Sequence, residues 1–478
     1  MKFSKLNETL QKKWLYILAY FYLFSSVAIF LLGNVKYIIS IPLTILLLIA
    51  NVKAIQNAPE MKISLFKGSK KFIFILIVIL MWVVFAGVGG FIWQNPWDHK
   101  FRNAVFKDLV GKSWPVISGE KALCYYLGFW LPSALVGKLF GLQAGYFFQI
   151  VWAFLGIAIA FGIVCQYLKE IKIRNILIFI FYSGLDVFLF LMFSGLPVFE
   201  SINNILGGSH LELSLYWFNS SSNTTLLFWL YNQIIPFWVG MMLLLSQKNS
   251  KSICLIYAML FLYSPFPAVA LAPVMVYLVF RQPEKNILKK ILYACSFENI
   301  VAIPLLIILA LFMKSNDSAG NIGILLPSGT LFIEYLCYII FEFLVYLIFV
   351  YRKNKNDAIL NILIIVSAIL PFITMGNSFD FAARTSIPLA FYIMLLVMKE
   401  FQDKSTSKKI KIGLIIVLCL GAVTPMTEMI RTFNNEKGVL RHEYSSRSDS
   451  LDSVFTQNEC YTNFVADTSS IFFKYLAK

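Results

Sequence analysis

Charge is what this sequence has least of. Only 14% of its 478 residues are Asp, Glu, Lys or Arg, against about 25% in an ordinary soluble domain. With 59% hydrophobic residues and a mean hydropathy of +0.74, a soluble globular chain is excluded. Histidine is scarcer still, three in all. The seven cysteines are scattered without metal spacing, and Cys124, Cys165, Cys254, Cys295, Cys337 and Cys419 lie in apolar segments. Neither a disulfide framework nor a structural zinc site is expected. The apolar runs do not alternate with period two, which excludes a β-barrel. No signal peptide is expected, because the basic segment Met1 to Lys13 leads into a run too long for an h-region, without a cleavage site.

What the chain has instead is a series of apolar runs near 20 residues long. They predict an all-α, polytopic integral membrane protein of about 12–13 transmembrane or partly inserted helices. A formal charge of +16 could suggest nucleic acid, but the positions of the cations decide otherwise. Lys2 to Lys13, Lys53 to Lys71, Lys169 to Arg174, Lys248 to Lys251, Arg281 to Lys290, Arg352 to Lys355 and Lys404 to Lys411 fall in alternate loops nearly free of acids. That is the positive-inside pattern. It implies a cytoplasmic N-terminus, a lipid bilayer as partner and no nucleic acid. The expected organisation is a membrane domain over 1–429, with outer loops 94–143, 199–225, 314–328 and 376–384, and an extracytoplasmic tail over 430–478.

Two segments break the rhythm. The apolar stretch Leu123 to Gly141, interrupted by Pro132 and Lys138, reads as an interfacial or partly inserted helix. Ser252–Phe280 is broken by Ser264-Pro265-Phe266-Pro267 and is flanked by basic residues on both sides. It reads as a hairpin of two short helices. Irregular backbone at membrane depth is tolerated only where it is buried or lines a cavity, so Tyr263 to Pro267 is a candidate cavity floor.

The notable ionisable groups collect on the outer side: Asp98, His99, Lys100, Arg102, Asp108, Glu120, His210, Glu212, Asp317, Asp380 and Arg384. A pore or proton relay would thread carboxylates through the membrane centre, so a site at the outer face is expected. Most of it centres on Gln94 to Ile117, the first long polar interruption. Asp98 either caps the helix that follows or serves as a general base toward an acceptor hydroxyl. Lys100 and Arg102 are either a solvated face or a phosphate clamp. His210 and Glu212, two apart, share a face of an extended segment. They are free loop residues or an acid/base pair, and too few ligands to argue for metal. Asp186 is an intramembrane carboxylate, a functional candidate by default. Glu334 and Glu342, eight apart on one helix, point to interhelical hydrogen bonding. Arg384, beside Asp380, either snorkels to the headgroups or clamps a lipid phosphate.

WDHKFRNAVFKDLVGKSWPV (Trp97 to Val116), followed by CYYLGFWLPSALVGKLFG (Cys124 to Gly141), resembles the first outer loop of polytopic glycosyltransferases of the GT-C superfamily. YSGLD (Tyr182 to Asp186), HLELSLYWFNSSSNTTLLFWLYNQIIPFW (His210 to Trp238) and ARTSIPLAF (Ala383 to Phe391) resemble a bacterial, largely uncharacterised branch of it. The resemblance implies an inverting transferase in a bacterial plasma membrane. Such an enzyme takes a sugar from a polyprenyl-phosphate carrier and passes it to a surface glycan, lipid or protein. Asp98 then matches the acidic residue of the first loop and is the general base. Arg384, with Lys100 or Arg102, binds the carrier phosphate beside Asp380, while Asp186, His210 and Glu212 line the sugar or acceptor site. No Asp-x-Asp pair occurs in the first loop, so a divalent metal is not indicated, and no other cofactor is. The rival readings are a lipid-linked glycan polymerase or ligase, and a flippase or transporter. A transporter should carry matching broken helices in two inverted halves, whereas the Pro-broken hairpin has no counterpart.

Overall fold

A computed structural model describes residues 2–66, 70–281, 286–320, 322–326, 328–375, 380–440, 451–456 and 461–478. Residues 376–379 of the last expected outer loop, and His442, lie outside them. Among the described residues nine helices are long and apolar enough to cross a membrane, and three shorter helices are apolar as well. The chain is an all-α polytopic membrane protein.

In chain order the helices are α1 (Lys2–Asn34), α2 (Tyr37–Asn57), α3 (Lys70–Phe85), α4 (Pro96–Gly111), α5 (Trp130–Phe140), α6 (Leu142–Leu168), α7 (Ile173–Phe181) and α8 (Asp186–Phe193). They continue as α9 (Val198–Gly207), α10 (Asn223–Ser246), α11 (Ile253–Leu260), α12 (Pro265–Phe280), α13 (Ile287–Ala294) and α14 (Phe297–Lys314). The last are α15 (Thr330–Ile339), α16 (Val345–Asn354), α17 (Ala358–Ile369), α18 (Asp380–Thr385), α19 (Ile387–Gln402), α20 (Lys408–Gly421) and α21 (Val423–Leu440). Several of them start after a side chain that satisfies otherwise orphaned amides. Ser222 caps α10, Ser296 caps α14, Asp357 caps α17 and Ser407 caps α20. At the centre α10 and the α18–α19 segment are the most enclosed spans. Glycines let helices meet there: a Cβ on Gly156 would sit 2.4 Å from Ile235, and one on Gly240 would sit 2.3 Å from Leu260.

The lysine-rich loops share one end of the bundle. Met61 N–H donates to Lys12 O, Gln166 reaches Ile63 and Gln402 reaches Leu168 O. Asn57 meets Glu298, Ser296 meets Lys251 O and Arg281 meets Gln247 O. The 94–143, 314–320 and 380–384 segments gather at the opposite end.

Several elements differ from expectation. The third span stops at Phe85, because Gly87, Gly89 and Gly90 adopt positive φ and turn the chain before Trp93. The segment read as interfacial or partly inserted packs one part into the protein: Trp130, Leu131, Ser133 and Ala134 of α5 are buried, while Leu139 and Phe140 are exposed. The fifth span is not continuous but is broken at Tyr182–Leu185. A π-turn at Ile340–Leu344 interrupts the helix that carries Glu334 and Glu342. Glu342 is buried, while Glu334 is only partly so.

The end of the chain is also part of the body. Strands β1 (Ile117–Ser118), β2 (Lys121–Leu123) and β5 (Val465–Asp467) form an antiparallel sheet, in which Leu123 faces Val465 and Lys121 faces Asp467. A second pair joins β3 (Ile322–Ile324) to β4 (Ile373–Met375). Phe472 wedges against Phe30 and Phe312, at 6.1 and 5.0 Å between ring centroids. Lys36 N–H then donates to Leu476 O.

Val465, at the start of the edge strand β5, is fully buried. Val465→Asp places a carboxyl there with no partner, so it should cost about 2 kcal/mol or more. The expected outcome is a clear fall in the thermal midpoint of the detergent-purified protein. A midpoint equal to wild type would mean that the tail does not dock.

Candidate functional site

The first turn of α4 begins at Pro96, which suits a first helical position because its missing N–H would be unpaired there anyway. Asp98 in the same turn favours the positive helix end, and Arg102 follows one turn later on the same face. Their side chains pair at 3.0 Å. The short helix α18 repeats the device, with Arg384 on Asp380 at 2.8 Å. Both arginines are buried, whereas the aspartate side chains are 38% and 43% exposed.

The two pairs line one cavity of about 490 Å³. Its polar wall includes Lys314 and Asn316 at the end of α14. Phe261, Pro265 and Phe266 close it from the Pro-broken hairpin, as the candidate floor required. Asn463 and Phe464 of the tail form another wall. Phe464 packs on Tyr125 and Phe101, with ring centroids at 4.6 and 5.4 Å. The Arg384 guanidinium lies 5.8 Å from the Phe266 ring and 6.0 Å from Tyr126, within cation–π range. Arg102 Nη1 and Arg384 Nε are buried with no hydrogen-bond partner among the described residues. Each guanidinium therefore has donor capacity left beyond its aspartate.

Burial works against the Arg102 charge, but Asp98 and the phenols of Tyr125 and Tyr231 outweigh it, so the guanidinium pKa stands above its ordinary value. Burial also raises the Tyr125 and Tyr126 phenols, against the pull of the arginines. His99 faces away from the cavity. Its Nε2–H donates to Phe228 O at 2.7 Å, and its ring stacks on Tyr231. Burial, helped by the Arg102 charge, pushes its pKa down to about 3, so it is a neutral packing partner beneath Arg102. Lys100 is not on the cavity wall; its ammonium lies 5.8 Å from the Phe101 ring.

Asp186, His210 and Glu212 are not on the wall either; they belong to a separate buried cluster. The break at Tyr182–Leu185 starts α8 with Asp186, which accepts from Ser183 and Thr424 at 2.9 and 3.0 Å and contacts Glu342. Glu212 accepts from the Ser222 amide at 2.8 Å. Burial raises its pKa well above the usual range, and the Asp186 and Glu428 charges add to this. His210 and Glu212 do not pair with one another, because a 3-10 turn begins at Glu212 and replaces the extended segment. His210 meets Glu428 and Arg431 instead, at 3.1 and 2.6 Å. Glu428 and Arg431, three apart near the end of the last apolar run, were the sequence sign of this network. Nothing in the sequence marked Asn463 or Phe464 as cavity residues. Among the described residues no three His, Cys, Asp or Glu side chains are grouped to hold a metal ion. No family model, curated protein or solved structure matches the chain.

His99 makes a pH prediction with a definite sign. Its pKa is about 3 when folded and 6.5 by the reference value. Between those values the unfolded chain binds more protons, so stability rises with pH and is complete above about 6.5. The slope approaches about 1.4 kcal/mol per pH unit. Thermal midpoints measured between pH 4.5 and 7 should rise more steeply for wild type than for His99→Gln. Equal slopes would place the titration elsewhere.

Proposed function

We propose that the chain is an integral membrane glycosyltransferase. It moves a sugar from a polyprenyl-phosphate carrier to a cell-envelope acceptor at the outer face, inside the Asp98–Asp380 cavity. The observation that carries this reading is the pair of buried arginines, each bound to a half-exposed aspartate and each with unspent donors, on the wall of a half-apolar cavity. The leaving group of the reaction is a lipid phosphate, and guanidiniums held by their aspartates in a largely apolar cavity stabilise the charge that develops on it.

In the proposed step an acceptor hydroxyl attacks the anomeric carbon of the sugar. The bond from that carbon to the phosphate oxygen breaks, and the electron pair leaves with the phosphate toward Arg384 and Arg102. The hydroxyl proton passes to Asp98, whose Oδ2 stays on Arg102 while its other oxygen is available to accept. Tyr126, Phe266 and Phe464 supply flat apolar faces for a sugar or an isoprenoid. Asp380 has the same pairing and nearly the same exposure as Asp98, so it is the rival base. Lys100, Asp186, His210 and Glu212 take no part in this step.

The test is transfer of radiolabelled sugar from polyprenyl-phosphate hexoses to a cell-envelope acceptor by the purified protein. Asp98→Asn should lower kcat by about 100-fold or more, with carrier binding retained. Arg384→Gln should weaken carrier binding as well as turnover. If Asp380→Asn loses the turnover instead, the base is Asp380. Carrier binding without transfer in wild type, across the acceptors tried, would favour a flippase.

A further inference from the structure

A second recess lies at the lysine-rich end, far along the chain from the cavity residues, where α15–α16 meets α17. It is a groove of about 790 Å³. Leu344, Leu347 and Ile348 form one side, and Ile364 and Ile365 the other. At its end stand Arg352 and Lys355, with Tyr351 beside them. Exposed Ile348 and Ile365 alone would be an ordinary lipid-facing surface. Two cations at the mouth of an apolar groove are not.

The neighbouring residues make the contrast. Lys353, between them in sequence, is fully engaged: its ammonium meets Asp403 at 2.7 Å, Glu400 at 3.2 Å and Thr406 at 2.6 Å. Arg352 and Lys355 are exposed and form no ion pair among the described residues. Asp357, two residues beyond Lys355, is already committed. It caps α17 through the Ile359 and Leu360 amides and accepts the Tyr392 hydroxyl at 2.6 Å. Asn361 donates to Lys355 O at 2.9 Å, which holds the groove's end in place. The end of the groove therefore carries two exposed cations with no ion-pair partner among the described residues.

We infer that this groove binds an anionic glycerophospholipid. Its phosphate sits between the planar donors of Arg352 and the ammonium of Lys355, its acyl chains run along the Leu and Ile walls, and Tyr351 stands at headgroup height. Charge complementarity selects this occupant. Basic pockets between membrane helices attract anionic headgroups, whereas a zwitterionic headgroup brings a compensating cation of its own beside its phosphate. The site shares no lining residue with the Asp98–Asp380 cavity, and the inference does not rest on the glycosyltransferase reading.

Native mass spectrometry of the detergent-purified full chain tests it, with phosphatidylglycerol or phosphatidylcholine added at equal concentration. Wild type should retain phosphatidylglycerol about tenfold or more in preference, given the attraction of two cations near a headgroup. The exposed double variant Arg352→Gln/Lys355→Gln should lose that preference with its thermal midpoint unchanged. Ile348→Trp/Ile365→Trp, which fills the groove and keeps both cations, should lose the bound lipid. Equal retention of the two lipids by wild type overturns the inference. So does a preference that survives the charge variant, or one that survives the filled groove, which would mean attraction to surface charge alone.

Discussion

A charge taken out of water must bring its partner with it. Removing a guanidinium from solvent costs several kcal/mol even after relaxation, and a chain this poor in acids has few carboxylates to spend. The solution recurs along the chain: the acid stands one helical turn before the base. Asp98 serves Arg102, Asp380 serves Arg384 and Glu428 serves Arg431. Because each pair is local, it forms with its helix and does not depend on distant packing. The same local pairing then lets two arginines sit buried at the edge of an apolar cavity without collapsing onto each other's acids.

The break in the fifth span obeys the corresponding rule for backbone. Between Tyr182 and Leu185 the helix stops, and every carbonyl it frees must find a donor inside the protein. Asn223 supplies two of these donations, its side chain to Phe179 O and its amide to Tyr182 O, while Thr224 serves Ile180 O. Tyr346 donates to Ser183 O. The polar start of α10, which reads in sequence as a loop, is the patch that repairs the break. Gly184 lets the two segments meet there, since a Cβ would lie 2.9 Å from the Glu342 Cα. The break in turn places Asp186 against Glu342. These two carboxyl groups meet without a cation partner among the described residues, whereas each cavity aspartate meets an arginine.

This contrast explains what could be read from the chain directly. Helical spans, the alternation of basic loops and the Pro-broken hairpin as cavity wall all follow from composition and local sequence. Pairing of Asp380 with Arg384 was visible too, because four residues is a helical neighbour distance. That His210, Glu212 and Asp186 lie apart from the cavity arginines was not a local matter. Their helices meet each other through a kink and a π-turn, and neither leaves a mark that periodicity detects. Lys100 failed for a simpler reason: on a helix it lies two residues from Asp98 and Arg102, and therefore on another face.

The tail shows why the cavity could not be completed from sequence. Phe464 closes the wall because β5 pairs with β2 in a register that puts Val465 against Leu123. The next residue back then lies on Tyr125 and Phe101. That register is held at both ends, by Asp317 N–H on Val465 O and by the Asp317 carboxylate on Lys121. Asn316 ties Cys124 O to Asn463 O across the same seam. A polar tail thus becomes an apolar wall through two residues, Asn316 and Asp317, in a loop on the other side of the cavity. Across the same cavity the Arg384 guanidinium lies over the Phe266 and Tyr126 rings. The cavity's low polarity, on which any strong phosphate contact depends, is therefore a property of how the last strand docks and not of the membrane helices alone.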